Sequence, residues 1–188
     1  MSTEGLLRFS AIVGKLKSVR RGGWISQVGI DEPESVADHS FRCAVVGMCI
    51  GDVMGVDTEK LIRMLLLHDI QEALTGDFDY YAKRALGMRE IASQQRRAIK
   101  DVLSQLPVEL ARQYLRLWEE YEDEVTTEAI LARDLDRIEM VMQALEYERQ
   151  GYDRQKLDAF WVEVEGKIRV PLVQELFKLL VKERTTGK

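Results

Sequence analysis

The sequence predicts an all-α protein, built as a bundle of about eight helices. Apolar residues recur at three- and four-residue spacing through most of the chain, and no segment alternates apolar and polar residues as a half-buried strand does. The chain of 188 residues is long enough for one sizeable core and short for two. Residues 1–188 are therefore predicted to form a single domain.

The first three helices are delimited by residues that start or stop helices. A helix from about Leu6 to Val19 is followed by basic residues and two glycines, which suit a helix C-terminus. Ser35 begins the second helix, which ends near Met54, and Asp38 completes a capping box with it. A run of apolar residues predicts a third helix from about Asp57 to Leu74.

The remaining segments are mostly amphipathic. Phe78 to Met88 is less periodic and predicts a loop or short helical turn. The acidic run from Glu119 to Glu124 is predicted to be a solvated helix end. The other helices are predicted at about Arg89 to Leu106, Val108 to Asp123, Thr126 to Gln150, Asp153 to Lys167 and Pro171 to Glu183.

Charge and composition narrow the classes of function. The formal net charge is −5, whereas a protein that coats a nucleic-acid polymer needs many Lys and Arg on one face, so no such partner is expected. No segment resembles a membrane span or a signal peptide, which predicts no membrane partner and a cytoplasmic location. Cys43 and Cys49 share one predicted helix and are expected to be small core residues in a reducing compartment.

A polar motif interrupts the third predicted helix. His68 and Asp69 follow a run of leucines, Glu72 comes one helical turn after His68, and Asp77 follows the predicted helix end. A carboxylate in an apolar setting is costly unless it is paired, hydrogen-bonded or bound to a metal. The motif therefore indicates a divalent cation, with Glu72 beside it to handle a proton.

The chain has one other histidine, His39, on the inward face of the second predicted helix. A metal site would use both histidines, with Asp69 and one later acid, for which periodicity alone does not choose between Asp134 and Asp136. Two imidazoles favour Mn, Co, Fe, Ni or Zn over Mg. The alternative interpretation is a set of core histidines that neighbouring polar groups satisfy without an ion.

The spacing of these residues resembles the H…HD…D signature of the HD-domain phosphohydrolases, which are metal-dependent enzymes built on a bundle of helices. His39 is followed after 29 residues by His68-Asp69, and Asp136 lies 67 residues beyond Asp69. Further blocks resemble one subgroup, the 5′-deoxynucleotidases and their eukaryotic relatives. These blocks are Arg21-Gly22-Gly23-Trp24, Glu34-Ser35-Val36-Ala37-Asp38-His39, Leu67 to Asp77, Trp118-Glu119-Glu120-Tyr121-Glu122 and Leu135-Asp136-Arg137-Ile138-Glu139-Met140.

The resemblance implies a role for each matching residue, and it also implies a homodimer. It selects Asp136 and leaves Asp134 as a supporting or solvated acid. The implied roles are ligation of one divalent metal ion by His39, His68, Asp69 and Asp136, catalysis by Glu72 and Asp77, and substrate binding by Arg21, at the phosphate, and Trp24, at the deoxyribose.

The function that this resemblance predicts is hydrolysis of deoxyribonucleoside 5′-monophosphates to deoxynucleoside and phosphate. Two alternatives stay open: another HD-type nucleotide phosphohydrolase, such as a phosphodiesterase or triphosphohydrolase, and a non-catalytic, metal-stabilised nucleotide-binding module. A structural ion would not require Glu72 and Asp77, so their presence favours an enzyme. The residues after Asp77 depart from the subgroup, in which prolines are common there, so base preference and deoxy selectivity are left open.

Overall fold

The computed structural model describes residues 2–187, and the regular structure in that range is helical. It contains ten α-helices, a 3₁₀ turn at Lys15–Lys17, a π-helical turn at Trp24–Val28 and no β-strand, which confirms the all-α class. None of these helices is both long and apolar enough to cross a membrane. The helices are α1 (Thr3–Gly14), α2 (Val36–Met54), α3 (Thr58–Leu67), α4 (Glu72–Thr75), α5 (Tyr80–Leu86), α6 (Met88–Leu103), α7 (Val108–Asp123), α8 (Thr127–Arg149), α9 (Arg154–Val164) and α10 (Pro171–Thr186).

The number of helices exceeds the predicted eight for two local reasons. The segment from Phe78 to Met88 contains α5, which the side chain of Asp79 caps. The third predicted helix is split, because α3 ends at Leu67 and the short α4 begins at Glu72. The prediction of one continuous helix to about Leu74 is therefore wrong.

A tryptophan from a distant helix accounts for the break after Leu67. In a continuous helix the Glu72 N–H would bond to the His68 carbonyl, but it bonds to the Asp69 carbonyl at 3.0 Å. The His68 carbonyl instead accepts from the Trp118 indole N–H at 3.2 Å. The backbone tightens into three-residue turns here, so His68 and Asp69 lie in a turn and not on a helix face.

Two predicted helix starts are confirmed by their capping bonds. Before α2, the Ser35 hydroxyl accepts from the Asp38 N–H at 3.2 Å, and Asp38 accepts from the Ser35 N–H at 2.9 Å. Thr126 caps α8 by accepting from the Ala129 N–H at 3.3 Å. The bonds from Ser35, with the charge of Arg20, hold the pKa of Asp38 below its usual value, although burial acts in the opposite direction.

The helices fall into two compact units, of which the first comprises residues 2–41 and 66–120. In this unit α1, α4 and α6 pack against one another. Leu67, Ile70 and Ala73 are buried in its core, on both sides of the turn that carries His68 and Asp69. That apolar anchoring holds the turn in place. The remaining buried core members are Leu16, Val36, Ile99, Val102, Leu103, Leu106 and Trp118.

The second unit comprises residues 42–65 and 121–187, and α8 is its central helix. α8 packs against α9 and α10, and its apolar residues at helical spacing, Leu131, Leu135 and Ile138, are buried. Gly47 of α2 is packed closely, since a Cβ added there would lie 2.3 Å from Leu65 Cδ1. A side chain at this position would therefore require the buried side chain of Leu65 to move.

Two sequence predictions need correction. Cys43 is buried as expected, but Cys49 is exposed because it lies on the outer face of α2. The acidic run is only partly solvated, since Glu119 pairs with Arg96 at 2.6 Å and Glu124 with Arg133 at 3.2 Å. Arginines that face the end of α7, which the helical pattern does not reveal, account for the difference.

Candidate metal centre and active site

Two histidines and an aspartate of the first unit bring three donor atoms together. The Nε2 atoms of His39 and His68 are 3.3 Å apart. Asp69 Oδ2 lies 3.1 Å from His68 Nε2 and 3.8 Å from His39 Nε2. His39 comes from the first turn of α2, whereas His68 and Asp69 come from the turn after α3. Both imidazoles are buried, which confirms their predicted inward orientation.

The spacing of these donor atoms fits a divalent ion. Two ligand atoms that each lie about 2.1 Å from one ion are about 3.0 Å apart in octahedral geometry and about 3.4 Å apart in tetrahedral geometry. Two of the three separations, 3.1 and 3.3 Å, fall within that range, and the third is 3.8 Å. Imidazole nitrogens with a carboxylate oxygen suit a divalent transition metal. These side chains therefore fit the metal dependence of the family that the sequence resembles.

Glu72, at the start of α4, has a buried carboxyl group whose Oε2 has no hydrogen-bond partner among residues 2–187. Burial raises the pKa of Glu72 well above its usual value, and the charges of Asp69 and Asp77 raise it further, against the opposing effects of Arg21 and His39. A carboxyl group with a raised pKa can hold a proton closer to neutral pH. The arrangement suits a group that accepts or donates a proton.

The segment before α2 supplies a guanidinium and a backbone donor. Arg21 Nη1 lies 3.3 Å from Asp69 Oδ2, the oxygen that is also close to the two imidazoles. The Gly22 N–H donates to Asp77 Oδ2 at 2.7 Å. A Cβ at Gly22 would lie 3.2 Å from Asp79 Cβ, so the absence of a side chain at Gly22 lets its backbone come close to the segment that carries Asp77 and Asp79. Arg21 and Asp77 are thereby held by the same short segment.

Trp24 lies in the π-helical turn and is only 1% exposed. Its indole N–H donates to Glu34 Oε1 at 2.9 Å. This burial makes Trp24 part of the core. Contact between Trp24 and a sugar stays a prediction.

Asp134, in the second unit, is fully buried, so of the two predicted alternatives, a supporting or a solvated acid, the solvated one is wrong. Its Oδ2 accepts from the backbone N–H groups of Arg169 at 2.7 Å and Val170 at 2.8 Å. Its Oδ1 accepts from Arg137 Nη1 at 3.2 Å. Asp134 therefore holds the connection between α9 and α10, a role that depends on residues far from it in sequence.

Asp136, also in the second unit, is held by a tyrosine and lies near an arginine. Its Oδ2 accepts from the Tyr121 hydroxyl at 2.8 Å, and Arg133 Nη1 is 4.0 Å from the same oxygen. Burial opposes the charge of Arg133, but Tyr121 and the carboxylates of Asp136, Glu122 and Glu124 outweigh that effect and raise the pKa of Arg133 above its usual value. Arg133 is thus a permanent cation in this part of the chain.

Two aromatic residues contact the candidate site residues in a way that sequence analysis missed. Trp118 bonds to the His68 carbonyl and, at 3.0 Å, to Gln71 Oε1, whereas Tyr121 bonds to Asp136. In the sequence, Trp118 is part of a block that resembles the subgroup, and Tyr121 lies in the acidic run that is predicted to be solvated. The available signal was an aromatic residue with a polar atom at a buried position, because a buried indole or phenol usually finds a hydrogen-bond partner.

The chain is similar to known proteins in both sequence and fold. The sequence profile of the HD domain family matches residues 13–174. The 5′-deoxynucleotidase HDDC2 of Dictyostelium discoideum is 38% identical over 188 residues, which cover 95% of this chain and 97% of that protein. The Homo sapiens protein of the same name is 36% identical over 187 residues, covering 98% and 88%. The solved structure of a conserved hypothetical protein from Pyrococcus furiosus has a TM-score of 0.77 at 31% identity, covering 95% of this chain and 99% of that chain.

Proposed function

This chain belongs to the HD domain family, and we propose that it is a divalent-metal-dependent 5′-deoxynucleotidase that releases phosphate from deoxyribonucleoside 5′-monophosphates. The observation that carries the proposal is the convergence of donor atoms from His39, His68 and Asp69 within 3.8 Å of one another. The substrate class comes from the names of the relatives. The family match extends through both units and supports the prediction of one HD-type domain over residues 1–188.

We propose His39, His68, Asp69 and Asp136 as the ligands of one divalent ion. The spacing of donor atoms supports the first three. The H…HD…D pattern supports Asp136, and the three hydrogen bonds of Asp134 give that alternative acid a different role. Two imidazole ligands favour Mn, Co, Fe, Ni or Zn over Mg. When bound, such an ion makes a water molecule more acidic and neutralises charge on a phosphate.

Arg21 is the proposed contact for the substrate phosphate. Its guanidinium can present two parallel N–H donors to two phosphoryl oxygens. Its ion pair with Asp69, at 3.3 Å, already holds the guanidinium beside the proposed ligands. A single arginine suits the one phosphate group of a monophosphate.

Glu72 and Asp77 are the proposed catalytic groups. The raised pKa of Glu72 favours it as the group that holds a proton for the departing 5′ oxygen. The bond from the Gly22 N–H orients the carboxylate of Asp77. Trp24 is proposed as a sugar contact from the resemblance alone, and its burial means that the turn Trp24–Val28 would have to move for that contact.

The test is phosphate release from a panel of nucleotides, with Mn, Co, Zn or Mg added to metal-stripped protein. The panel contains deoxy- and ribonucleoside 5′-monophosphates, 3′-monophosphates, cyclic nucleotides and triphosphates. We expect release from the deoxyribonucleoside 5′-monophosphates, with a transition metal more effective than Mg. Release from triphosphates or cyclic nucleotides alone would replace this proposal with another HD-type activity.

Three variants connect this activity to the site. Glu72→Gln is expected to retain its metal and to lose about 10²–10⁴-fold in kcat, because a positioned acid or base contributes that much. Asp69→Ala and Asp136→Ala are expected to lose the metal as well as activity. Glu175→Gln, at an exposed position on α10, is the control and should match the wild type. Absence of phosphate release by wild type that retains its metal would indicate a binding module instead.

We also propose a cytoplasmic homodimer. The exposed Cys49, which forms no disulfide, supports a reducing compartment, and the resemblance supports the dimer. Light scattering coupled to size-exclusion chromatography tests the dimer directly. A mass of one chain at micromolar concentration would exclude it under those conditions.

A further inference from the structure

The second unit contains a directed series of polar groups that the proposed function does not yet explain. Arg133 Nη1 donates to the Tyr121 hydroxyl oxygen at 3.0 Å, and that oxygen lies 2.8 Å from Asp136 Oδ2. A guanidinium has no acceptor, so it must occupy a lone pair of the hydroxyl oxygen. The single hydroxyl proton is consequently donated to Asp136, and the direction of both bonds follows from chemistry.

Tyr121 is the buried member of this series, and partly buried groups hold it from both sides. Tyr121 is 1% exposed, and the Arg133 guanidinium carbon lies 3.9 Å from the centre of its ring. Arg133 Nη2 donates to Glu122 at 3.2 Å, and Arg133 Nε lies 3.2 Å from a carboxylate oxygen of Glu124. The acidic run after Trp118 therefore fixes an arginine, which in turn fixes the tyrosine hydroxyl.

We propose that Tyr121 is a positioning residue for the metal-binding carboxylate of Asp136, and that Arg133 keeps the Tyr121 hydroxyl in its donating orientation. This inference rests on the proposed function, in which Asp136 is a ligand. A hydrogen bond to one carboxylate oxygen fixes rotation about the Cβ–Cγ bond and hence the direction of both oxygens. The same hydrogen bond leaves the Asp136 carboxylate of the metal-free protein with fewer orientations, so less conformational entropy is lost when an ion binds.

The test measures Mn²⁺ affinity of the full-length chain by competition with a chelator. Tyr121→Phe removes one hydroxyl and keeps the ring under Arg133. We expect its dissociation constant for Mn²⁺ to rise by about 10-fold or more, within the range of 10–100-fold typical for partners of metal ligands. The absorption bands of the Co²⁺-loaded protein should also change, because they report ligand geometry. The Mn²⁺ concentration for half-maximal activity should rise in parallel, and excess Mn²⁺ should restore most of kcat.

Two further variants separate positioning from packing. Tyr147→Phe makes the same chemical change at another buried tyrosine, 11 residues beyond Asp136 on α8, and should leave Mn²⁺ affinity unchanged. Arg133→Met removes the donor to the Tyr121 hydroxyl and should give an intermediate loss of affinity. If Tyr121→Phe does not fold, by circular dichroism, the Arg133→Met measurement decides.

The possible outcomes distinguish this inference from the proposed function. If Tyr121→Phe binds Mn²⁺ as tightly as the wild type, the role of Tyr121 is overturned and the proposed function is left intact. The same conclusion follows from wild-type Mn²⁺ affinity in Arg133→Met if Tyr121→Phe does not fold. Wild-type affinity in Asp136→Ala overturns the proposed ligand set and this inference together. A loss of thermal stability in Tyr121→Phe with unchanged Mn²⁺ affinity assigns Tyr121 to packing alone.

Discussion

Removing the hydrogen bond from Trp118 to the His68 carbonyl tests whether this bond stabilises the turn that carries His68 and Asp69. The Trp118 indole N–H is shared between the His68 carbonyl at 3.2 Å and Gln71 Oε1 at 3.0 Å. Trp118→Phe removes this donor and keeps an aromatic ring. Trp161 is the matched control, since it is also buried but its indole nitrogen has no hydrogen-bond partner in the part of the chain that the structure describes.

The expected loss of stability follows from these contacts. Leaving buried acceptors without their donor costs about 1–3 kcal/mol. The smaller ring leaves a space of about 40 Å³, which at about 24 cal/mol per Å³ adds about 1 kcal/mol. Trp118→Phe should therefore lower the free energy of unfolding by about 2–4 kcal/mol, or Tm by about 4–16 °C for a chain of this size. Trp161→Phe lacks the hydrogen-bond component and should cost about 1 kcal/mol.

The assay is urea-induced unfolding of the metal-free proteins, followed by circular dichroism, together with Mn²⁺ affinity. Trp118→Phe should lose more stability than Trp161→Phe and should also bind Mn²⁺ more weakly, because the turn carries two of the proposed ligands. Equal losses of stability in the two variants would refute the reasoning. They would show that ring volume, and not the bond to the His68 carbonyl, holds the turn.

Two further predictions follow from the geometry. Gly22→Ala should lower kcat with little loss of metal, because the added Cβ would lie 3.2 Å from Asp79 Cβ and 3.3 Å from the Asp77 carbonyl oxygen. Gly14→Ala is the control and should leave kcat unchanged, because a Cβ there would have no atom within 4 Å. Equal kcat values in the two variants would contradict this prediction. Asp38→Ala should cost about 1 kcal/mol at pH 7, because it removes the side chain that accepts the capping bond. The pKa of Asp38 in the folded protein lies below its ordinary value of 3.8, so the wild type loses this extra stability as the pH falls from 3.8 through the folded-state pKa. Urea unfolding across that pH range should show the difference in free energy of unfolding between wild type and variant decrease.

Local features of the sequence were sufficient for much of the fold. The capping box at Ser35 and Asp38 is visible within four residues, and its bonds are present in the structure. The apolar stripe of α8, at Leu131, Leu135 and Ile138, follows from helical periodicity and is buried. Such signals act between neighbours in the chain, so a sequence reveals them without knowledge of tertiary contacts.

The sequence by itself determined the class of fold, because periodicity encodes burial. It also pointed to inward-facing His and Asp residues as candidate metal ligands, but only the family resemblance chose Asp136 among them. Tertiary structure decided where the helix before His68 ends, because the His68 carbonyl accepts a hydrogen bond from Trp118, which lies 50 residues away in the sequence. It likewise decided that Asp134 holds the backbone at Arg169 and Val170, 35 and 36 residues away, while Asp136 accepts from Tyr121. A polar residue in a helical pattern shows that a partner is needed, but only the fold determines which distant group comes within hydrogen-bond distance.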